Sequence, residues 1–283
     1  MTEKLIDMHT HTNLSDGELS PEELIEYAKK HNIETLSITD HDTLQGIKSV
    51  DLSRNHGLCL IPGIELSAKV NKGRMHILGY NINVNNEKLN KKMNELSNDS
   101  LYSIISYLND LAQTYNIHFS NEDIINLINT KRNLGRPDIA KLLLKYGYVN
   151  YIQEAFDKYL IDIFNRVRGK NKGINYEECI SLIKESGGYA VLAHPHSLEL
   201  NDKELLKMIR NLISCGLDGI EVYHSNHTPE QMKQYLQIAK QENLLISGGS
   251  DFHGKSVKPN VEIGIGKDNL HIKSLSLLDK IKS

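Results

Sequence analysis

Short apolar runs alternate with amphipathic helical stretches along both flanks of the 283-residue chain, and that alternation restricts it to an α/β architecture. KLIDMH, TLSIT, LCLIPG and MHILGYNI come early; YAVLAH, LDGIEVYH and LLISGGSD come late. Each has the length and apolar character of a strand. Between them, SPEELIEYAKKHN carries a capping box, Ser20 with Glu23, and Pro21 at the first helical position. TPEQMKQYLQIAKQEN repeats the device with Thr228, Pro229 and Gln231. NYEECISLIKESGG and KELLKMIRNLISCG are helical too, and TLQGIKSVDLSRNHG reads as a helix closing on Gly57. Such βα units predict a parallel sheet, open or closed into a barrel.

The alternation stops between residues 90 and 172. There KKMNELSNDSLYSIISYLNDLAQTYN, SNEDIINLIN, RPDIAKLLLKYG and YIQEAFDKYLID have helical periodicity and almost no strand signal. The expected organisation is a first barrel part over residues 1–89, a helical insertion capping the substrate over 90–172, and a second barrel part over 173–283. Residues 130–172 hold ten Lys or Arg against four Asp or Glu. That excess fits a solvated helical face or an anion-collecting cap equally well.

Chemistry concentrates at the ends of the apolar runs. His9 and His11 close the first; at i and i+2 in an extended chain they point to one face. Asp16 follows in the loop. The second run ends in Asp40, His41 and Asp42, the third leads to Glu65, and the fourth carries His76. The fifth ends in His194 and His196, the sixth at His224, the seventh at Asp251 and His253. C-terminal strand ends are where barrel enzymes build their sites. A core histidine explains one such residue, not the set.

Imidazoles and carboxylates without thiolates suit manganese, zinc or iron. The strongest candidates are six histidines, His9, His11, His41, His76, His194 and His253, with Asp16, Glu65 and Asp251. They are too many for one ion with an open position and suit two or three divalent ions. Glu65, an isolated acid, is the best placed bridge.

Net charge is −3, so no whole-chain basic field recruits long nucleic acid, although small anionic substrates remain compatible. Cys59, Cys179 and Cys215 form no C-x-x-C, and their odd number argues for thiols in a reducing compartment. MTEKLIDMHTHT lacks an apolar signal region, and no run approaches the ~18 apolar residues of a membrane span. The expectation is a soluble cytoplasmic protein without a membrane partner.

DMHTHTNLSDG, ITDHDT, GIELS, HILGY, AHP and GGSDFHG, in that order, resemble the PHP family, the polymerase and histidinol phosphatase metal-dependent phosphoesterases. GRPDIAKLLLKYGYV, QEAFDKYL and GLDGIEVYHSNHTPEQ resemble its stand-alone branch acting on nucleoside 3′,5′-bisphosphates and, 5′→3′, on short RNA. The resemblance implies a distorted seven-stranded (β/α) barrel with a trinuclear site. One ion would take His9, His11, Glu65 and Asp251. A second would share Glu65 and take His76 and His194. A third would take Asp16, His41 and His253. Asp40 and Asp7 fit roles orienting the imidazoles; for Asp7 a strand-start turn role is the alternative.

The activity implied is hydrolysis of a small phosphorylated substrate, a nucleotide or short RNA. Paired metals would activate a bridging hydroxide for in-line attack and neutralise the phosphoryl oxygens. Arg136 in GRPD is the candidate phosphate clamp, since guanidinium matches phosphate bidentately. The branch commonly has GRPH, and Asp138 departs from it. His224 and His227 are candidates to protonate the leaving group or hold a distal phosphate, with His196 a weaker third. A histidinol-phosphate phosphatase would use the same ligands, as would a metal-stabilised non-catalytic module. An amidohydrolase barrel also opens with H-x-H, but Glu65 and the late D-x-H favour the PHP arrangement.

Overall fold

The computed structural model describes residues 3–129, 134–167 and 174–283. The basic residues expected at 131, 132, 168, 170 and 172 lie outside the described residues. The chain forms two compact units, Met1–Lys91 with Ile174–Ser283, and Lys92–Gly173.

The first unit is a seven-stranded sheet in sequence order: β1 (Leu5–Thr10), β2 (Ile33–Ile38), β3 (Cys59–Ala68), β4 (Met75–Tyr80), β5 (Tyr189–Leu192), β6 (Gly219–His224) and β7 (Leu245–Gly249). The sheet curls into a nearly closed barrel. His11 N–H donates to Phe252 O and Asp251 N–H to His9 O, both at 2.9 Å, joining the end of β1 to the chain leaving β7.

The expected parallel order holds for β1–β3 and β5–β7, whereas β4 runs antiparallel to both neighbours. The cause is local. Only residues 69–74 separate β3 from β4, and a parallel crossover needs roughly a dozen residues or more.

Helices α1 (Pro21–Lys30) and α2 (Gln45–Ser49) follow β1 and β2. The capping box at the start of α1 forms as its sequence predicts, Ser20 and Glu23 bonding reciprocally. The α2 helix is much shorter than its sequence pattern and stops before Val50, not at Gly57. Asp51 accepts hydrogen bonds from the Ser53 backbone and hydroxyl, at 3.0 and 2.6 Å. That side-chain turn competes with continued helix.

The Lys92–Gly173 unit contains most of α3 (Glu87–Tyr115), then α4 (Asn121–Ile128), α5 (Arg136–Lys145), α6 (Ile152–Ala155), one wider helical turn at Phe156–Leu160, and α7 (Ile161–Val167). Ile104, Leu111, Ile139, Leu143, Leu160 and Ile163 form its own core. Part of its basic charge is spent internally: Lys145 pairs with Asp123 at 2.5 Å and Arg166 with Asp110 at 2.6 Å.

The barrel unit resumes with α8 (Tyr176–Glu185) before β5, α9 (Asp202–Ser214) before β6 and α10 (Pro229–Gln241) before β7. A last helix, α11 (Ser276–Lys282), which the sequence pattern did not single out, adds Leu277 and Leu278 to a core with Met8, Tyr80 and Val191. Among the described residues no helix is long and apolar enough to cross a membrane.

Candidate metal centre

Glu65, at 1% exposure on β3, is the hub of the strand ends. Its Oε1 lies 2.8 Å from His76 Nδ1 and 3.0 Å from His194 Nε2. Its Oε2 lies 3.1 Å from His9 Nε2, 3.2 Å from His11 Nε2 and 3.2 Å from His41 Nδ1. Asp251 Oδ1 faces His11 Nε2 at 3.3 Å and His9 Nε2 at 3.7 Å. Asp16 Oδ1 faces His253 Nε2 at 3.3 Å.

All nine residues singled out as ligands in the sequence are therefore brought into one centre. Their donor atoms fall into overlapping groups: His9, His11 and Asp251; His9, Glu65 and His194; His41, Glu65 and His76; and His11, Asp16, His41 and His253. Asp251 and His253, one residue apart in chain, fall in different groups.

The backbone bends to present them. Asp42, His194 and Asp251 have φ of 50°, 24° and 58°, in the left-handed region that non-glycine residues rarely occupy and that functional sites often do. At Gly249 a Cβ would stand 2.3 Å from His9 N, so only glycine lets the end of β7 approach β1.

Support comes partly from unexpected residues. Asp40 does not orient an imidazole. It accepts from Thr12 N and Oγ1, each at 2.7 Å, and from Ser15 Oγ at 2.6 Å, fixing the loop between His11 and Asp16. Asp7 likewise accepts from the backbone N–H of His9, Ser250 and Gly264 at 3.2, 2.9 and 2.8 Å, tying β1 to the chain after β7. The acid that orients an imidazole is Glu221 on β6, fully buried. Its Oε1 lies 2.8 Å from His9 Nδ1, and its Oε2 accepts from the His194 backbone N–H at 2.7 Å. Sequence reasoning passed over it. Its signal was a carboxylate inside the apolar run GIEVYH, which burial obliges to find a partner.

Charge at the centre is polarised. Burial alone would raise the Glu65 carboxyl, but His41, His9 and His76 hold it well below the ordinary carboxylate range. Burial likewise opposes, and Lys258, His253 and His9 overcome it, in holding Asp251 low. Burial would depress His9, yet Glu221, Glu65 and Asp251 raise it well above its ordinary value. Against the same burial, Asp251 and Glu65 raise His11 to about 9. Burial pushes His41 down to about 3 despite Glu65 and Asp16.

The donor set fits divalent cations. Both ring nitrogens of buried His11, and Asp16 Oδ1, make no hydrogen bond although carboxylates or imidazoles stand close by. Buried polar atoms left in that state are costly, and coordination would satisfy them. Neutral imidazole and carboxylate oxygen are the donors zinc, manganese and iron accept.

His196, His224 and His227 form a neighbouring triad with ring centroids 5.0–5.4 Å apart. His227 Nδ1 donates to Val222 O at 2.8 Å, leaving its buried Nε2 without a partner. His224 is engaged at both nitrogens: Nδ1 accepts from Asn226 N–H at 3.1 Å, and Nε2 faces Asp251 Oδ2 at 3.3 Å. Burial and the neighbouring His224 press His227 down to about 3 and His196 to about 4. Arg136 belongs to the other unit. It opens α5, with its guanidinium carbon 4.4 Å from the Phe164 ring centroid.

Known proteins resemble this chain over most of its length. The chain is 31% identical over 274 residues to the 5′-3′ exoribonuclease Rnm of Escherichia coli, covering 92% of this chain and 88% of that protein. It is 29% identical to a phosphoribosyl 1,2-cyclic phosphate 1,2-diphosphodiesterase of Eggerthella lenta, over 88% of this chain and 94% of that one. It is 26% identical to the 3′,5′-nucleoside bisphosphate phosphatase of Chromobacterium violaceum, over 88% and 87% of the two chains. A crystal structure from Bifidobacterium adolescentis described as a metal-dependent phosphoesterase superposes with a TM-score of 0.78 at 29% identity, covering 99% of this chain and 96% of that one. The PHP domain family matches residues 7–248. A buried Glu65 ringed by strand-end histidines, in a chain matched over most of its length to that family, identifies it as a member of the PHP family and a metal-dependent phosphoesterase.

Proposed function

We propose that the chain hydrolyses phosphate esters of small nucleotides: nucleoside 3′,5′-bisphosphates, AMP-like monophosphates or short 5′-phosphorylated RNA. The observation that carries this reading is the Glu65 hub, where five imidazoles from four strand ends meet one carboxylate within 3.2 Å. The E. coli and C. violaceum relatives, named for exoribonuclease and bisphosphate phosphatase activity, support the substrate class.

Two or three divalent ions, manganese, zinc or iron, are assigned to His9, His11, Asp16, His41, Glu65, His76, His194, Asp251 and His253. Bound there, they supply Lewis acidity, acidifying a water and neutralising phosphoryl charge. The chain's own residues do the rest. Glu221 holds His9 by its far nitrogen, so that Nε2 faces the centre. His224 faces Asp251 and positions it. His227, neutral with Nε2 open, suits accepting a hydrogen bond from a substrate or leaving-group hydroxyl better than protonating it. Arg136 is kept as the candidate phosphate clamp on the chemistry of its guanidinium.

The test is phosphate release, with manganese present, from AMP, adenosine 3′,5′-bisphosphate, 5′-phosphorylated short RNA and histidinol phosphate. Phosphoribosyl 1,2-cyclic phosphate, the substrate in the E. lenta relative's name, is scored by ring opening. A preference for the nucleotides, abolished in Glu65→Ala, is expected. Turnover of histidinol phosphate alone, or of the cyclic phosphate alone, would move the substrate elsewhere in the family.

A further inference from the structure

A cavity of about 280 Å³ lies against Asp251 in the barrel unit, lined by Ser225, Asn226, Ser250, Lys258 and Lys267 among others. Ligand pockets span roughly 300–1,000 Å³, so this one suits a chemical group and not a whole nucleoside. Its wall mixes polar side chains with Pro259 and Val261, and its cationic charge comes from Lys258 and Lys267. Two lysines line it against one carboxylate, Asp251, which pairs with Lys258.

Asp251 divides its oxygens. Oδ1 faces His11 and His9, at 3.3 and 3.7 Å. Oδ2 accepts from Lys258 Nζ at 2.6 Å and faces His224 Nε2 at 3.3 Å. Because Asn226 N–H donates to His224 Nδ1, it is Nε2 that faces Oδ2 as the donor. One carboxylate, shared among His9, His11, His224 and Lys258, does not neutralise both lysines. Lys267 is exposed and lines the cavity.

We propose that this cavity receives a second phosphate of the substrate, one that is not hydrolysed, and that Lys267, with Lys258, makes the enzyme prefer substrates carrying two phosphates. The proposal rests on the nucleotide reading above for its reaction, but not for its binding step. A lysine ammonium suits the role because it is a compact charge with three donors. The second phosphate comes either from the far end of a nucleoside bisphosphate or from the internucleotide link of a short RNA; both present anionic oxygens.

Lys267→Met in the metal-loaded enzyme is the test, since Lys267 makes no hydrogen bond or ion pair with a proposed metal ligand among the described residues. kcat and KM are measured for AMP, adenosine 3′,5′-bisphosphate and the dinucleotide pApA. Calorimetry with adenosine 3′,5′-bis(phosphorothioate), which resists hydrolysis, reads affinity without turnover. The expected result is a KM and Kd about tenfold higher for two-phosphate ligands, the scale of one charged hydrogen bond. kcat and the AMP constants should stay put, and Lys267→Arg should restore the preference. A response confined to the bisphosphate or to pApA supports the subsite and identifies its occupant. Equal effects on AMP and the two-phosphate ligands, or no effect on any, overturn it. Should no nucleotide be hydrolysed at all, the nucleotide reading falls, while the phosphorothioate titration still decides the subsite.

Discussion

Glu221 Oε1 and His9 Nδ1 stand 2.8 Å apart, both without solvent exposure, on strands 212 residues apart in the chain. The contact turns His9 Nε2 toward Glu65 and keeps the ring from rotating away. Glu221 also receives the His194 backbone N–H, so one carboxylate fixes residues from two of the donor groups.

Glu221→Gln keeps the shape of that side chain and removes its charge. Loss of such an outer partner commonly lowers metal affinity about 10–100-fold, and a loss of that size is expected here. Competition against a chromogenic chelator measures it, with circular dichroism as the check on folding. Unchanged affinity would show that His9 is oriented by packing alone.

Metal uptake should release protons. In the metal-free protein Asp251 and Glu65 raise His11, against its burial, to about 9, and His9 is raised well above its ordinary value. Both imidazoles then carry a proton at pH 7, which coordination must displace. The sign for stability follows. These raised groups stabilise the metal-free protein fully below their ordinary value of about 6.5, and that contribution is lost as pH rises through the folded value. Metal affinity runs the other way, climbing across the same window. Calorimetry at pH 7 in buffers of different ionisation heat gives the proton count; a count of zero contradicts the protonated imidazoles.

Gly249→Ala should be strongly destabilising for its size. The added Cβ would meet His9 N at 2.3 Å and His9 Cβ at 2.5 Å. Backbone cannot swing aside as a side chain can. Overpacking of this kind costs about 1–3 kcal/mol, read as a lower Tm. Because the strained contact is His9 itself, weaker metal binding should accompany it. A variant with wild-type Tm would mean that β1 and β7 separate freely at this end.

The ligand set was legible because most members are a His, Asp or Glu at or just past the C-terminal end of an apolar run; His76 instead opens β4, whose antiparallel course brings that end to the same centre, and Asp16 lies in the loop after β1. Glu221 was hidden because it lies inside such a run, and what it touches belongs to strands far away in sequence. The direction of β4 was encoded in the short link at residues 69–74 but masked by the regular alternation around it. The end of α2 depended on a side-chain turn at Asp51, which hydrophobic periodicity does not register. Asp7 and Asp40 were recognised as supports, but their partners are mostly backbone groups and hydroxyls of loops, whose positions no spacing rule supplies.

Asp138 raised a difficulty in the sequence, an acid beside the candidate phosphate clamp Arg136. The structure gives it local work: its Oδ2 accepts from Gly135 N–H at 2.8 Å, closing the start of α5, and the residue is 5% exposed. A carboxylate near a helix N-terminus also meets a favourable dipole. Asp138→Ala removes the acceptor and should cost about 1 kcal/mol, visible in thermal denaturation. Asp138→Asn keeps an oxygen for Gly135 while removing the charge, so its loss should be smaller. Equal losses in the two variants would mean that the charge, not the hydrogen bond, holds α5 in place, and kcat for AMP measured on Asp138→Asn then tells whether that charge also reaches the substrate.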